Sequence, residues 1–156
     1  MSLGLIVCGT PLFSVTYTYT LLNRNGWTAT ASNESSDSFI KAQASIDSDT
    51  GSRYLSQTNQ YVGMWVEFNF NALISIAQIE IQWSGNHWAR GFRLLPSVDG
   101  VNYNTQIFSG SGINPSVIPT QKIQFSPIEV RKIKLEITQS FGDWLSFFEF
   151  QAYKAV

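Results

Sequence analysis

A chain of 156 residues is the size of one ordinary domain and is long enough to bury a real core. Only 13% of it is charged, against about 25% in an average soluble domain, while 44% is apolar and 14% aromatic. A net charge of -1 gives no electrostatic basis for binding nucleic acid or for a polybasic membrane anchor, and a single cysteine, Cys8, excludes an intrachain disulfide or a cysteine zinc cluster.

The start, MSLGLIVCGTPLF, is apolar but has no basic region ahead of it, so it reads as a buried first strand rather than a secretory signal. No stretch reaches the roughly eighteen apolar residues of a membrane span. From Val15 to Leu21 the residues alternate, with Val15, Tyr17, Tyr19 and Leu21 against Ser14, Thr16, Thr18 and Thr20, which predicts a strand. Asn23 to Gly26 makes a turn. The polar stretch from Asn33 to Ser38 leads into SFIKAQASI, which has room for one helical turn.

Period two then recurs. Val66, Phe68 and Phe70 share one face, and Ile79, Ile81 and Trp83 oppose Glu80 and Gln82. Phe92 with Leu94 and Ile123 with Phe125 mark further strands. Ile133, Leu135 and Ile137 oppose Lys132, Lys134 and Glu136, and Phe148, Phe150 and Ala152 read as the core face of a last strand. Asp99-Gly100 signals a hairpin, and Ser109 to Pro119 reads as a Gly/Pro/Ser loop. Short strands and turns with little helical periodicity predict an all-β, antiparallel jelly-roll sandwich, a single domain over residues 1–156.

Two stretches carry chemistry. The first is QASIDSDTGSRYLS, Gln43 to Ser56, where carboxylates and hydroxyls crowd a loop and offer the hard oxygens that calcium takes. It is not an EF-hand, because counting from Asp47 the sixth and twelfth places hold Ser52 and Thr58 rather than Gly and Glu. The metal-free alternative is an Asx or Ser/Thr turn.

The second is Ser84 to Arg90, between two strands. Asn86, His87, Trp88 and Arg90 supply an aromatic plate for the apolar face of a sugar ring and planar polar groups for its hydroxyls. Gln139 to Leu145 adds the aromatics Phe141 and Trp144, and Tyr61 lies on a third loop with Met64. Arg90 paired with a carboxylate and Trp88 capping the core are the structural alternatives. Catalysis has little support: His87 is the single histidine, no serine stands in a nucleophile elbow, and no carboxylate pair is left to face a cleft.

WTATAS (from Trp27), ASIDSDTGSRYLS (from Ala44), WVEF (from Trp65), RGFRLLPSVDGVNY (from Arg90), FSPIEVRKIKLEI (from Phe125) and FEFQAY (from Phe148) fall in order at spacings similar to those of the discoidin, or coagulation-factor C-terminal-type, family. That family includes bacterial galactose-binding carbohydrate modules. The resemblance implies an eight-stranded, galactose-binding-like jelly roll that is a lectin-like binding module rather than an enzyme, with cell adhesion among the family's roles. It also implies a calcium cofactor of structural kind. Its ligands would be the carbonyls of Ala44 and Asp49, the carboxylates of Asp47 and Glu149, and Ser52 through hydroxyl and carbonyl, with the Phe148 carbonyl as an addition. Ser48 stands where the family has glycine, Ser52 where it has threonine and Tyr54 where it has tryptophan.

The partner implied is a galactose-type glycan. A protein-interaction or assembly domain of the same fold is the alternative, and a lipid-binding version, with Phe141 and Trp144 as apolar tips, comes third. The resemblance favours an extracellular or cell-surface setting, and it makes Trp65 a core tryptophan of the sheet.

Overall fold

The alternating segments build eight strands in the computed structural model, which describes residues 15–156. They are β1 (Tyr19–Leu21), β2 (Thr28–Ala31), β3 (Tyr54–Gln60), β4 (Trp65–Trp83), β5 (Phe92–Ser97), β6 (Phe108–Gly110), β7 (Gln121–Ile137) and β8 (Phe141–Ala155). A short 3-10 helix, Ala42–Ile46, supplies the expected helical turn. Every pairing is antiparallel, in the order β1-β8-β4-β7-β5-β6, with β2 added to β4 and β3 added to β8.

Three strands are too long for one flat layer, and they bend. β4 pairs with β2 and the end of β7 through its first half, then with the start of β7 and with β8 through its second. The register breaks between Asn69 and Ile74, where Asn71 takes a positive φ of 58°, and such bulges bend and twist a strand. The bend folds the sheet onto itself. Phe68, from the first half of β4, stacks on Phe150 of β8 with ring centroids 3.6 Å apart, and Phe147 lies 6.2 Å from Phe68 on the same side.

Trp83, Phe92 and Tyr54 extend this aromatic core, while Val66, Ile79, Ile81, Ile133 and Leu135 fill its flanks, all at 1% exposure or less. In β4 from Val66 to Phe70 and in β7 from Ile133 to Ile137, residues i and i+2 therefore reach the interior, as the period-two pattern predicts. The result is the expected jelly-roll sandwich.

Three expectations are corrected. The strand predicted from Val15 begins only at Tyr19, and Leu21 is 48% exposed, because β1 is an edge strand held by β8 alone; Cys8 and the rest of the apolar start lie outside the described residues. In β8 the core positions are Phe147 and Phe150, three apart, with Phe148 only half-buried. A register shift that pairs Gln82 with Glu149 but Trp83 with Phe147 inserts the extra residue. Trp65 lies half-buried on the outer face, 5.6 Å from the Lys134 ammonium, and Trp83 is the core tryptophan. Met64 lies on the expected loop between β3 and β4 and is fully buried there.

Candidate functional site

The loop between β4 and β5, residues 84–91, meets the start of β8, and a buried glutamine joins them. Gln60, at the end of β3 and 2% exposed, donates from Nε2 to the carbonyls of Trp88 (3.0 Å) and Trp144 (3.1 Å). The Arg90 amide donates back to Gln60 Oε1 at 3.4 Å. Ser146 N–H donates to the His87 carbonyl at 3.0 Å, and Ser84 N–H to the Ser146 carbonyl at 3.1 Å. At the base of the loop Gly91 allows a close approach, since a Cβ there would lie 2.8 Å from Gln139 Cβ. The predicted loop residues are thus held by the sandwich rather than left free.

Arg90 organises the surface of this cluster. Its guanidinium carbon is 3.4 Å from the centroid of the Trp88 ring and 3.9 Å from that of Phe141. Nη1 donates to the Trp88 carbonyl at 2.9 Å and Nη2 to the Asn86 carbonyl at 3.1 Å, which leaves further N–H donors on its edge. Burial pushes its pKa down from the ordinary value and Asp143 pulls it back up. The carboxylate pairing read from sequence as an alternative is thereby replaced by two aromatic faces and two carbonyls, a cation–π arrangement.

His87 stacks beside Trp144 with centroids 6.3 Å apart and planes inclined by 23°. Its Nδ1 lies 3.2 Å from Asp143 Oδ1, although the contact lacks hydrogen-bond alignment. Trp144 is 39% exposed and supplies the open aromatic surface, whereas Trp88 packs partly against the core. Asn86, His87, Trp88, Arg90, Phe141 and Trp144 are therefore brought together, although Phe141 and Trp144 stand on the first residues of β8 rather than on the expected loop from Gln139 to Leu145. Tyr61 follows Gln60, whose sheet partner is Phe141, but its hydroxyl is tied to Asn33 Oδ1 at 2.8 Å.

Two surface cavities, each about 240 Å³, lie elsewhere, lined by residues of β5 and of the loop that follows it, between 93 and 106. In the 84–91 cluster and its β8 neighbours Asn86 and Trp144 are exposed, and His87, Trp88, Arg90 and Phe141 are half-buried.

The acidic loop forms a second corner, at the other end of β3. Ser52 Oγ lies 2.7 Å from Asp47 Oδ2, 3.0 Å from the Asp49 carbonyl and 3.2 Å from the Ala44 carbonyl, so four of the five predicted calcium ligands converge. The Asp49 carboxylate is turned away and accepts the Gly51 amide at 2.8 Å. Ser48 takes φ 67°, the left-handed angle for which a glycine is the unstrained residue. Glu149, 5% exposed, pairs through Oε2 with Arg24, and its Oε1 is buried without a hydrogen-bond partner among the described residues. Burial raises the Glu149 pKa, Arg24 opposes that, and Asp47 and Asp49 add to it, which places all three acids within one field.

A sequence model of the F5/8 type C domain matches residues 28–150. The chain belongs to the F5/8 type C domain family.

Solved structures share its fold. A family 32 carbohydrate-binding module of Clostridium perfringens NanJ, in complex with galactose, aligns with a TM-score of 0.74 at 19% identity over 88% of this chain and 100% of that one. CpGH89CBM32-5 from Clostridium perfringens, in complex with GalNAc-β-1,3-galactose, gives 0.75 at 17% over 85% and 99%. Chitosan-binding module 2 of a Paenibacillus sp. IK-5 chitosanase/glucanase, in complex with chitotriose, gives 0.69 at 18% over 85% and 97%. No curated protein matches the sequence.

The acidic corner of this F5/8 type C domain offers oxygen donors of the kind that fit calcium, the ion the family resemblance implies, with Glu149 Oε1 as an unused buried acceptor. Among the described residues no three His, Cys, Asp or Glu side chains converge as a metal cluster. The set is thus two carboxylates supplemented by carbonyls and a hydroxyl. Sequence reasoning missed Gln60, Asp143 and Arg24. Asp143 stands within the stretch from Gln139 to Leu145, but Gln60 and Arg24 act across sequence separations of 21 to 126 residues that no local pattern announces.

Proposed function

We propose that this F5/8 type C domain is a non-catalytic carbohydrate-binding module. It takes a terminal galactose-type sugar on the surface formed by Asn86, His87, Arg90 and Trp144, and its fold is supported by a structural calcium ion. The observation that carries the reading is Arg90, clamped between Trp88 and Phe141 with spare donors on its edge, next to an exposed tryptophan. The Trp144 ring suits the apolar C–H face of a pyranose. Arg90 and Asn86 suit a hydroxyl pair, and His87 Nε2 suits a third hydroxyl. The galactose and GalNAc-β-1,3-galactose ligands of two similarly folded modules support this ligand class.

A shallow site with one exposed ring buries little ligand, so affinity is modest and useful binding comes from multivalent display. Phe141 is engaged by Arg90 and so is not a free apolar tip, which weighs against insertion into lipid.

Calcium would be held by the carboxylates of Asp47 and Glu149, the carbonyls of Ala44 and Asp49, and Ser52. It would supply charge neutralisation there and fasten the acidic loop to β8. Titration of galactose and N-acetylgalactosamine into the purified domain by calorimetry tests the sugar reading: a heat signal is expected, and Arg90→Ala is expected to remove it. Calcium titrated into the chelator-treated protein tests the ion, with loss of binding expected in Glu149→Gln.

A further inference from the structure

The acidic corner holds a cation of its own. Arg24 sits in the turn between β1 and β2, yet its side chain is only 9% exposed and lies against the loop that carries Asp47 and Asp49. Nη1 pairs with Glu149 Oε2 and faces the carbonyls of Ser45 (3.4 Å) and Phe150 (3.3 Å), while Nη2 donates to Ser48 Oγ at 3.1 Å. The guanidinium thus touches both elements, loop and strand, that an ion would join.

Its position is set by a stiff mount. Leu22 N–H donates to the Ala152 carbonyl at 2.9 Å on one side of the turn. On the other, Trp27 N–H closes the turn on the Arg24 carbonyl at 3.1 Å, and its ring packs on Phe70 at 4.6 Å.

We propose that Arg24 is a tethered counter-ion that does part of calcium's work and weakens calcium binding at this corner. The inference rests on the calcium reading given above. A buried carboxylate is costly unless paired, and Arg24 pairs one oxygen of Glu149 without any ion. The other oxygen, Oε1, remains for a metal. An ion there shares one carboxylate with a fixed positive charge, and the two cations repel across it. The loop and β8 are therefore joined in the absence of calcium, and occupancy by the ion is weaker than the donor set alone would give.

Arg24→Gln and Arg24→Lys, compared with the unaltered protein by calcium calorimetry and by thermal melting with and without chelator, test this. The expected result is that Arg24→Gln binds calcium about tenfold more tightly or better. It should also melt lower than the unaltered protein in chelator and recover with calcium. Arg24→Lys, which keeps the charge, should bind calcium like the unaltered protein.

Calcium binding by the unaltered protein that is no weaker than in Arg24→Gln would overturn the inference and leave the ion site standing. Equal tightening in Arg24→Lys and Arg24→Gln would also overturn it, because charge would then not be the cause. No calcium binding in any of the three would remove the ion site and the competition together.

Discussion

The guanidinium carbon of Arg90 lies 3.9 Å from the centroid of the Phe141 ring, joining the β4–β5 loop to the first residue of β8, 51 residues further along the chain. With Trp88 at 3.4 Å on another ring, the arginine is positioned before any ligand arrives. Pre-positioning lowers the ordering cost of binding.

Arg90→Ala is expected to weaken sugar binding by about tenfold or more, or about 1.4 kcal/mol. Arg90→Lys should recover only part of it, because an ammonium lacks the planar fork. Calorimetry with a fixed sugar reads the difference. Circular dichroism should show both variants folded.

Gln60→Leu removes the bracket under the same surface while keeping side-chain bulk. It leaves the Trp88 and Trp144 carbonyls without their donor in a buried place, a cost of about 1–3 kcal/mol. Denaturant unfolding should show that loss. Sugar affinity should fall as well, although Gln60 itself is 2% exposed and touches no ligand.

These two residues show what the sequence could and could not tell. Arg90 was legible because an aromatic and basic cluster stands within a few consecutive residues between two period-two segments. Gln60 was not, because its partners lie 28 and 84 residues away and its polar side chain looks like any exposed strand residue. The strands themselves were legible wherever one face is buried, as in Ile133, Leu135 and Ile137. Legibility failed at irregularities: the register shift near Glu149 moved the core position from Phe148 to Phe147, and the edge strand β1 kept an alternation that serves no core. Trp65 misled because it resembles the family's core tryptophan of the sheet, whereas Lys134 and the outer face accommodate it.

Phe68→Ala should be the most damaging change away from the site. The ring is fully buried, stacks on Phe150 at 3.6 Å and fastens the two layers together. Truncating such a phenylalanine costs about 3–5 kcal/mol. A lowered urea midpoint that corresponds to that loss of free energy, with an unchanged slope, is the expected result.

Alkaline pH should loosen the outer face of β8. Burial, aided by the hydrogen bond to Glu80, pushes the Tyr153 hydroxyl up to about 12. The fold favours the neutral phenol, so its contribution is complete below the ordinary tyrosine pKa of about 10 and is lost as pH rises through about 12. Melting temperature followed from pH 9 to pH 12 should fall over the upper part of that range, and Tyr153→Phe should flatten the fall.

The most direct measurement is a glycan-array screen of the purified domain beside its Arg90→Ala variant, with and without calcium chelator. The account predicts a signal for terminal galactose-type sugars that the variant loses. A blank array from the folded domain, or a sugar signal that survives Arg90→Ala undiminished, would contradict it.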